Sequence, residues 1–198
     1  MGCNVQAFEP APYNLFYLRL GRIINNLVSK IQIHPFAIGA KRTQISLHFH
    51  CRDTGESKVD TNIKDGDVVI EQHTLDSIVE LDSIPFLKID TEGFEDQVMA
   101  GAQETLYKAE TLVVEFKKTH VDEKVRILNK FLSKGYKIFS YKEHYRGRVD
   151  AWTKESLKNI PVSRVESVTN DKWIPYEDLV ITKASLFSDV WGSKPIHA

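Results

Sequence analysis

Cysteine is scarce in this 198-residue chain, which has only Cys3 and Cys51. Two thiols cannot staple a chain of this length into a disulfide framework. The fold must therefore rest on a packed core, and reduced thiols in a cytoplasmic protein are the simplest expectation. An excess of either charge is also missing. Twenty-six basic residues stand against twenty-seven acidic ones, for a net charge of -1. That balance leaves no broad basic face and argues against nucleic acid as a partner. No apolar run approaches the roughly 20 residues that a membrane helix needs. Nor does the N-terminus show a basic region followed by an apolar signal core, so neither a membrane nor the secretory route is expected. Internal repeats and low-complexity tracts are lacking as well.

What is present suits one soluble α/β domain: 42% of residues are hydrophobic and 27% charged, ordinary proportions for a globular protein. Asn4 to Glu9 reads as a buried strand stopped by Pro10. Phe16, Leu20, Ile23 and Leu27 recur at helical spacing and mark one face of a helix. Ile31 to Ile38 reads as a short strand ending at Gly39, and Ile45, Leu47 and Phe49 alternate as in a half-buried strand. Val68 to Ile70 and Pro85 to Asp90 are further strand candidates. Phe94, Val98, Ala102 and Leu106 form a second helical stripe, followed by the β-branched run from Thr111 to Phe116. A third stripe, Val121, Val125, Leu128 and Leu132, ends at Gly135, where a helix C-terminal cap belongs. Tyr136 to Tyr141 and Asp178 to Thr182 complete the strands, with a short helix expected after Thr153. Strands alternating with helices predict a doubly wound, mainly parallel sheet covered by helices on both faces.

Chemistry-bearing residues gather at the ends of these strands, where open α/β sheets bind ligands. Glu9 closes the first strand, and a carboxylate there suits two ribose hydroxyls. Phe36, Ala37, Ile38 and Gly39 close the next, where backbone could lie against a flat ring. Asp90, Glu92 and Glu95 crowd the junction of an apolar strand with a helix. The two glutamates have a structural reason there, since negative charge is favoured at a helix N-terminus. Asp90, ending an apolar strand, is expected to point into the crevice.

In order and spacing, these segments resemble the FkbM-type methyltransferases. The matching residues are Val5-Gln-Ala-Phe-Glu-Pro10 with Asn14, Ala37-Ile-Gly39, Thr74-Leu-Asp-Ser-Ile78, and Phe86-Leu-Lys-Ile-Asp-Thr-Glu-Gly-Phe-Glu95. Gly101-Ala102 and Val113-Val-Glu115 follow in place. The resemblance implies a Rossmann-like class I fold and an S-adenosylmethionine-dependent O-methyltransferase acting on a hydroxyl of a sugar or small metabolite. It implies that Glu9, with Pro10 and Asn14 beside it, binds the cofactor ribose, and that Ala37, Ile38 and Gly39 lie near the adenine. Asp90 and Glu92 would face the sulfonium and the acceptor hydroxyl, with Asp90 as base or acceptor-orienting group.

The family pattern places a first strand and a glycine-rich loop before the Ala-Phe-Glu-Pro strand, and this sequence has nothing that matches them. The expected domain is therefore residues 1–184, incomplete at its N-terminus, with 185–198 as a tail. Without the first strand, either the sheet falls into two half-sheets or the Val5–Phe8 strand pairs with the Phe86–Ile89 strand. Cofactor binding by residues 1–198 alone is expected to be weak, and an inactive fragment or a non-catalytic binding or regulatory protein is the alternative. Two further patterns carry less. His48, His50 and Cys51 lack a second ligand cluster at zinc-like spacing, so no metal site is assigned. Tyr136, Phe139, Tyr141 and Tyr145, interleaved with Lys and Arg, read as a strand with a solvated edge.

Overall fold

The computed structural model describes residues 3–48, 58–60, 68–116, 121–141, 162–165 and 177–183. Two compact units emerge, Met1–Glu80 with Gln97–Gln103, and Leu81–Asp96 with Glu104–Ala198. None of the described helices is long and apolar enough to cross a membrane.

The first unit opens with β1 (Val5–Phe8), helix α1 (Pro12–Ile24) and β2 (Ile31–His34). Pro12 starts the helix, where its missing N–H costs nothing. β1 and β2 pair in parallel as a sheet of their own, Val5 opposite Ile31 and Phe8 opposite His34. β1 is not the buried strand expected from its composition: Val5 and Gln6 are exposed. Among the described strands it has one partner. The stripe Phe16, Leu20, Ile23 and Leu27 departs from expectation in the same sense. The helix forms, but it ends before Leu27, and these four side chains are exposed while Leu15 and Ala11 are buried. Periodicity identifies a helix and its apolar face; it does not say which side of the chain covers that face.

Four more strands build the second sheet of this unit: β3 (Ala37–Ile38), β4 (Thr43–His48), β5 (Lys58–Asp60) and β6 (Val68–His73), ordered β3-β6-β4-β5. Ile31 to Ile38 is thus two strands in two sheets rather than one. Ile45 and Leu47 are buried on β4, but Ser46 between them is fully buried too, so the strand is not the half-buried one that the alternation predicts; Phe49 lies outside the described residues. Thr74 caps the short helix α2 (Leu75–Ile78), its hydroxyl accepting from Ser77 N at 3.3 Å.

The second unit holds β7 (Ile84–Ile89), the short helices α3 (Glu95–Ala100, whose last turn belongs to the first unit) and α4 (Thr105–Lys108), β8 (Ala109–Phe116), α5 (Val121–Ser133), β9 (Lys137–Tyr141), β10 (Val162–Val165) and β11 (Glu177–Thr182). Its sheet runs β10-β9-β11-β8-β7. Leu112 and Val114 of β8, Leu128 and Phe131 of α5, and Ile138 and Ile181 form the core. Gly135 takes φ +80°, and its N–H bonds Leu132 O at 3.0 Å, closing α5 as the glycine predicts. The expected helix after Thr153, together with His50, Cys51, Tyr145 and the tail, lies outside the described residues.

A mainly parallel sheet is not what forms; the sheets are mixed. β1–β2, β3–β6 and β7–β8 are parallel, whereas β4–β5, β4–β6, β8–β11, β9–β11 and β9–β10 are antiparallel. Two causes are visible. β4 and β5 are joined by nine residues, fewer than the roughly dozen that a parallel crossover needs, and they pair antiparallel. α5 carries the chain from β8 past one sheet position to β9, and β11 fills that position running the other way. β1 and β7 lie in separate sheets, and β7 is a sheet edge.

Glycine is required where two backbones touch. A Cβ on Gly101 would lie 1.9 Å from the carbonyl oxygen of Gly39. A Cβ on Gly39 would meet the end of the Gln72 side chain at 2.4 Å. The Gln72 end is flexible and backbone is not. Gly101→Ala should therefore lose about 3 kcal/mol or more, and Gly39→Ala about 1 kcal/mol. Urea denaturation of the two variants checks the order; equal midpoints would contradict the contact.

Candidate functional site

Two groups of candidate residues stand at strand ends, one in each unit. In the first, Glu9 follows β1 and its N–H bonds His34 O at 3.1 Å, extending the parallel ladder by one step. The Glu9 carboxylate is half-buried and held from two sides. Ala11 N donates to Oε1 at 2.8 Å and Asn14 Nδ2 to Oε2 at 3.4 Å. Each oxygen keeps a further lone pair, so an oriented carboxylate remains able to accept two more hydrogen bonds, the chemistry a vicinal diol would use. Asn14, from the first turn of α1, thus acts through Glu9. Pro10 is half-buried beside it.

Rings line the same strand ends. Phe8 stacks on His34 with centroids 4.6 Å apart and planes at 14°. Phe36 tilts against His34 at 5.5 Å and against His73 at 4.4 Å. His73 reaches Glu71 at 2.9 Å. Burial holds the His34 imidazole below its ordinary pKa, and its Nε2 is buried without a hydrogen-bond partner among the described residues. Phe36 opens the Phe36–Gly39 segment that the sequence singles out, whereas composition gives no reason to single out His34; the signal is its place at the end of β2, opposite Phe8.

Ala37 and Ile38 are buried in β3, paired with Gln72 and His73. Gly39 N bonds His73 O at 2.9 Å. The room beside Gly39 is filled by Gln72, whose Nε2 donates to Lys41 O at 2.8 Å and whose Oε1 is buried with no partner among the described residues. Protein packing accounts for glycine at this position.

In the second unit, Asp90 leaves the end of β7 and Glu115 lies on β8. The parallel register sets Ile89 opposite Val114, so the next pair along is Asp90 and Glu115. Glu92 joins them, and one carboxylate oxygen from each of the three lies within 4.8 Å of the others. Lys88 Nζ meets Asp90 Oδ2 at 2.7 Å and offsets part of that negative charge. The turn carrying Glu92 is bent: Glu92 has φ +55° and Gly93 φ +102°. A non-glycine residue in this region is uncommon and costs on the order of 1 kcal/mol.

Glu95 maintains the bend. It is fully buried, and its Oε1 accepts from Thr91 N at 3.0 Å, Thr91 Oγ1 at 3.2 Å and Gly93 N at 2.9 Å. Sequence reasoning assigned Glu95 to the helix N-terminus and used Glu115 only as a landmark. The register of β7 against β8 is what brings Glu115 to Asp90, and no local pattern shows it. Three neighbouring carboxylates of this kind can take a proton from a hydroxyl or hold a hard cation through oxygen.

An α/β chain with mixed sheets and an acidic strand-to-helix turn is the class so far defined. Residues 1–138 match the methyltransferase FkbM domain, and the chain belongs to that family. A crystal structure of methyltransferase FkbM from Methylobacillus flagellatus KT is similar at 19% identity with a TM-score of 0.51, over 90% of this chain and 36% of that one. This chain therefore spans about a third of that protein's length. No curated protein matches the chain.

The His34 environment predicts a pH dependence. Its folded pKa lies below the 6.5 of an exposed histidine, so the unfolded chain binds the proton more readily. Stability from this group is complete above pH 6.5 and declines as pH falls from there towards the folded value. Urea midpoints of wild type and His34→Phe between neutral pH and pH 5 should show a shallower decline in the variant; superimposable profiles would contradict the burial effect.

Proposed function

We propose that this chain functions as an S-adenosylmethionine-dependent O-methyltransferase whose acceptor is a hydroxyl of a sugar or small metabolite. The match of residues 1–138 to the methyltransferase FkbM domain carries the reading. S-adenosylmethionine would supply an electrophilic methyl group on a sulfonium. The residues of this chain would then have three tasks: binding the nucleoside, orienting the hydroxyl and receiving its proton.

Glu9 suits the first task. Its carboxylate is pre-oriented by Ala11 N–H and Asn14, so little freedom is lost when it accepts a ribose diol. Ala37 and Ile38 are buried in β3 and would back an adenine edge from within, the exposed contacts falling to the half-buried rings of Phe8, His34 and Phe36. Asp90 and Glu92 suit the remaining tasks. Lys88 holds Asp90 Oδ2, which leaves Oδ1 to receive a proton. A positioned base of this kind accelerates transfer about 10²–10⁴-fold.

Two measurements test the reading. Ligand-observed NMR titration with S-adenosylhomocysteine detects even weak complexes. Glu9→Gln keeps the shape and loses the charge, so its dissociation constant should rise roughly ten- to a hundredfold, as expected for one charge-assisted hydrogen bond. Absence of any binding by the wild-type chain would remove the cofactor assignment. Once an acceptor is found by transfer of a labelled methyl group to a hydroxylated panel, Asp90→Asn should lower kcat by about 10²-fold or more with KM little changed. A variant as active as wild type would take Asp90 out of the chemistry.

A further inference from the structure

Helix α1 is amphipathic with its apolar side outward. Tyr13, Phe16, Tyr17, Leu20, Ile23 and Ile24 are each between 40% and 68% exposed. At 3.6 residues per turn, these six fall within an arc of roughly 120°. The residues on the other side differ. Leu15 is buried, and Arg22 Nη1 donates to Ile31 O at 2.9 Å, which ties the inward face to β2. The arc itself is organised: Tyr13 and Tyr17 hydroxyls lie 3.0 Å apart, and Phe16 packs edge-on against Tyr17 at 5.3 Å. A contiguous apolar patch of this kind is rare on a monomer and marks an interaction surface.

The chemistry of the arc selects its occupant. A two-fold interface sets one patch against a copy of itself, so a patch without charges brings no like charges together near the axis. This arc contains none; Arg19 and Arg22 lie off it. The helix has no acidic residue in its first turn and Arg22 as the basic residue of its last turn. Six side chains of these sizes at these exposures offer on the order of 600 Å² per copy. Face to face, two copies would bury roughly 1,200 Å², which reaches the range of specific interfaces. We propose that the outward face of α1, centred on Phe16, Leu20 and Ile23, is a homodimer interface in which two copies of this chain pack their first helices together across a two-fold axis. The proposal is independent of the methyltransferase reading, since no residue in it belongs to the Glu9 or Asp90 groups.

Sedimentation velocity of the full chain across a concentration series up to roughly 100 µM should show a monomer–dimer equilibrium with a micromolar dissociation constant. Phe16→Glu with Ile23→Glu places four like charges within the apolar interface. The pair should raise that constant at least about a hundredfold, as expected for removal of central aromatic and aliphatic anchors. Both positions are exposed, so far-UV circular dichroism should stay unchanged and separate lost association from lost folding. Arg19→Ala, off the arc, should leave the constant as it is. A wild-type chain that stays monomeric throughout the series, a dimer that survives the double substitution, or open-ended oligomers in place of a dimer would each overturn the proposal.

Discussion

The carboxylate of Glu95 carries the turn on which the acidic residues stand. One oxygen gathers both donors of Thr91 and the N–H of Gly93, and this pins five residues between the end of β7 and the start of α3. Without such an acceptor these part-buried N–H groups would turn to water, and the turn would lose the net contribution of about 0.5–1.5 kcal/mol from each bond. With it, the backbone reverses sharply enough to put Glu92 into positive φ. The strain is local and small, and the hydrogen bonds outweigh it. A buried glutamate thus fixes exposed ones, and the sequence pattern Asp-Thr-Glu-Gly-Phe-Glu divides into a structural half and a chemical half.

The remaining member of the acidic group depends on sheet register. Among the described strands of their sheet, β7 and β8 are the one parallel pair, and parallel pairing aligns the carboxyl ends of both strands at one edge. That alignment is why Asp90 and Glu115, 25 positions apart in sequence, come to adjacent places. β11 runs against β8 and β9, so its own carboxyl end, at Thr182, lies at the opposite edge with Thr111. There Thr182 and Thr111 hydroxyls meet at 2.9 Å, a structural contact rather than a chemical one. Mixed strand direction therefore sorts polar residues in the sheet by role.

Legibility from sequence follows the range of the interactions concerned. Helix α5 and its end at Gly135 were readable because the stripe Val125, Leu128 and Leu132 and a positive-φ glycine are both local. The β-branched run of β8 was readable for the same reason. Strand direction was not, because it depends on which sheet position the chain occupies, and β11 inserts between β8 and β9 from 36 residues beyond the end of β9. Ile31 to Ile38 looked like one strand because a two-residue break at Pro35 and Phe36 leaves the apolar count intact while the chain changes sheets. The acidic turn was found as a cluster, yet its internal order was missed: Glu95 looked like an ordinary helix-opening carboxylate until its three donors were seen. The family resemblance is legible because it rests on the order of many short segments and not on the placement of any one of them.

The same division explains how far a motif can reach. Gly39 and Gly101 belong to segments that carry the resemblance; Gly101 is glycine because its backbone touches that of Gly39, and Gly39 because Gln72 fills the room beside it. Thr74 belongs to another, and its hydroxyl caps α2. Glu95 holds a turn. Several of the shared residues thus preserve a frame. Glu9, Asp90 and Glu92 are half-buried or exposed carboxylates at strand ends. Under the proposed function Glu9 suits the ribose diol of the cofactor and Asp90 the proton of a hydroxyl, and neither feature distinguishes one alcohol from another. Selectivity among acceptors would then rest on side chains outside these shared segments, which is why membership of the family and the identity of an acceptor are separable questions.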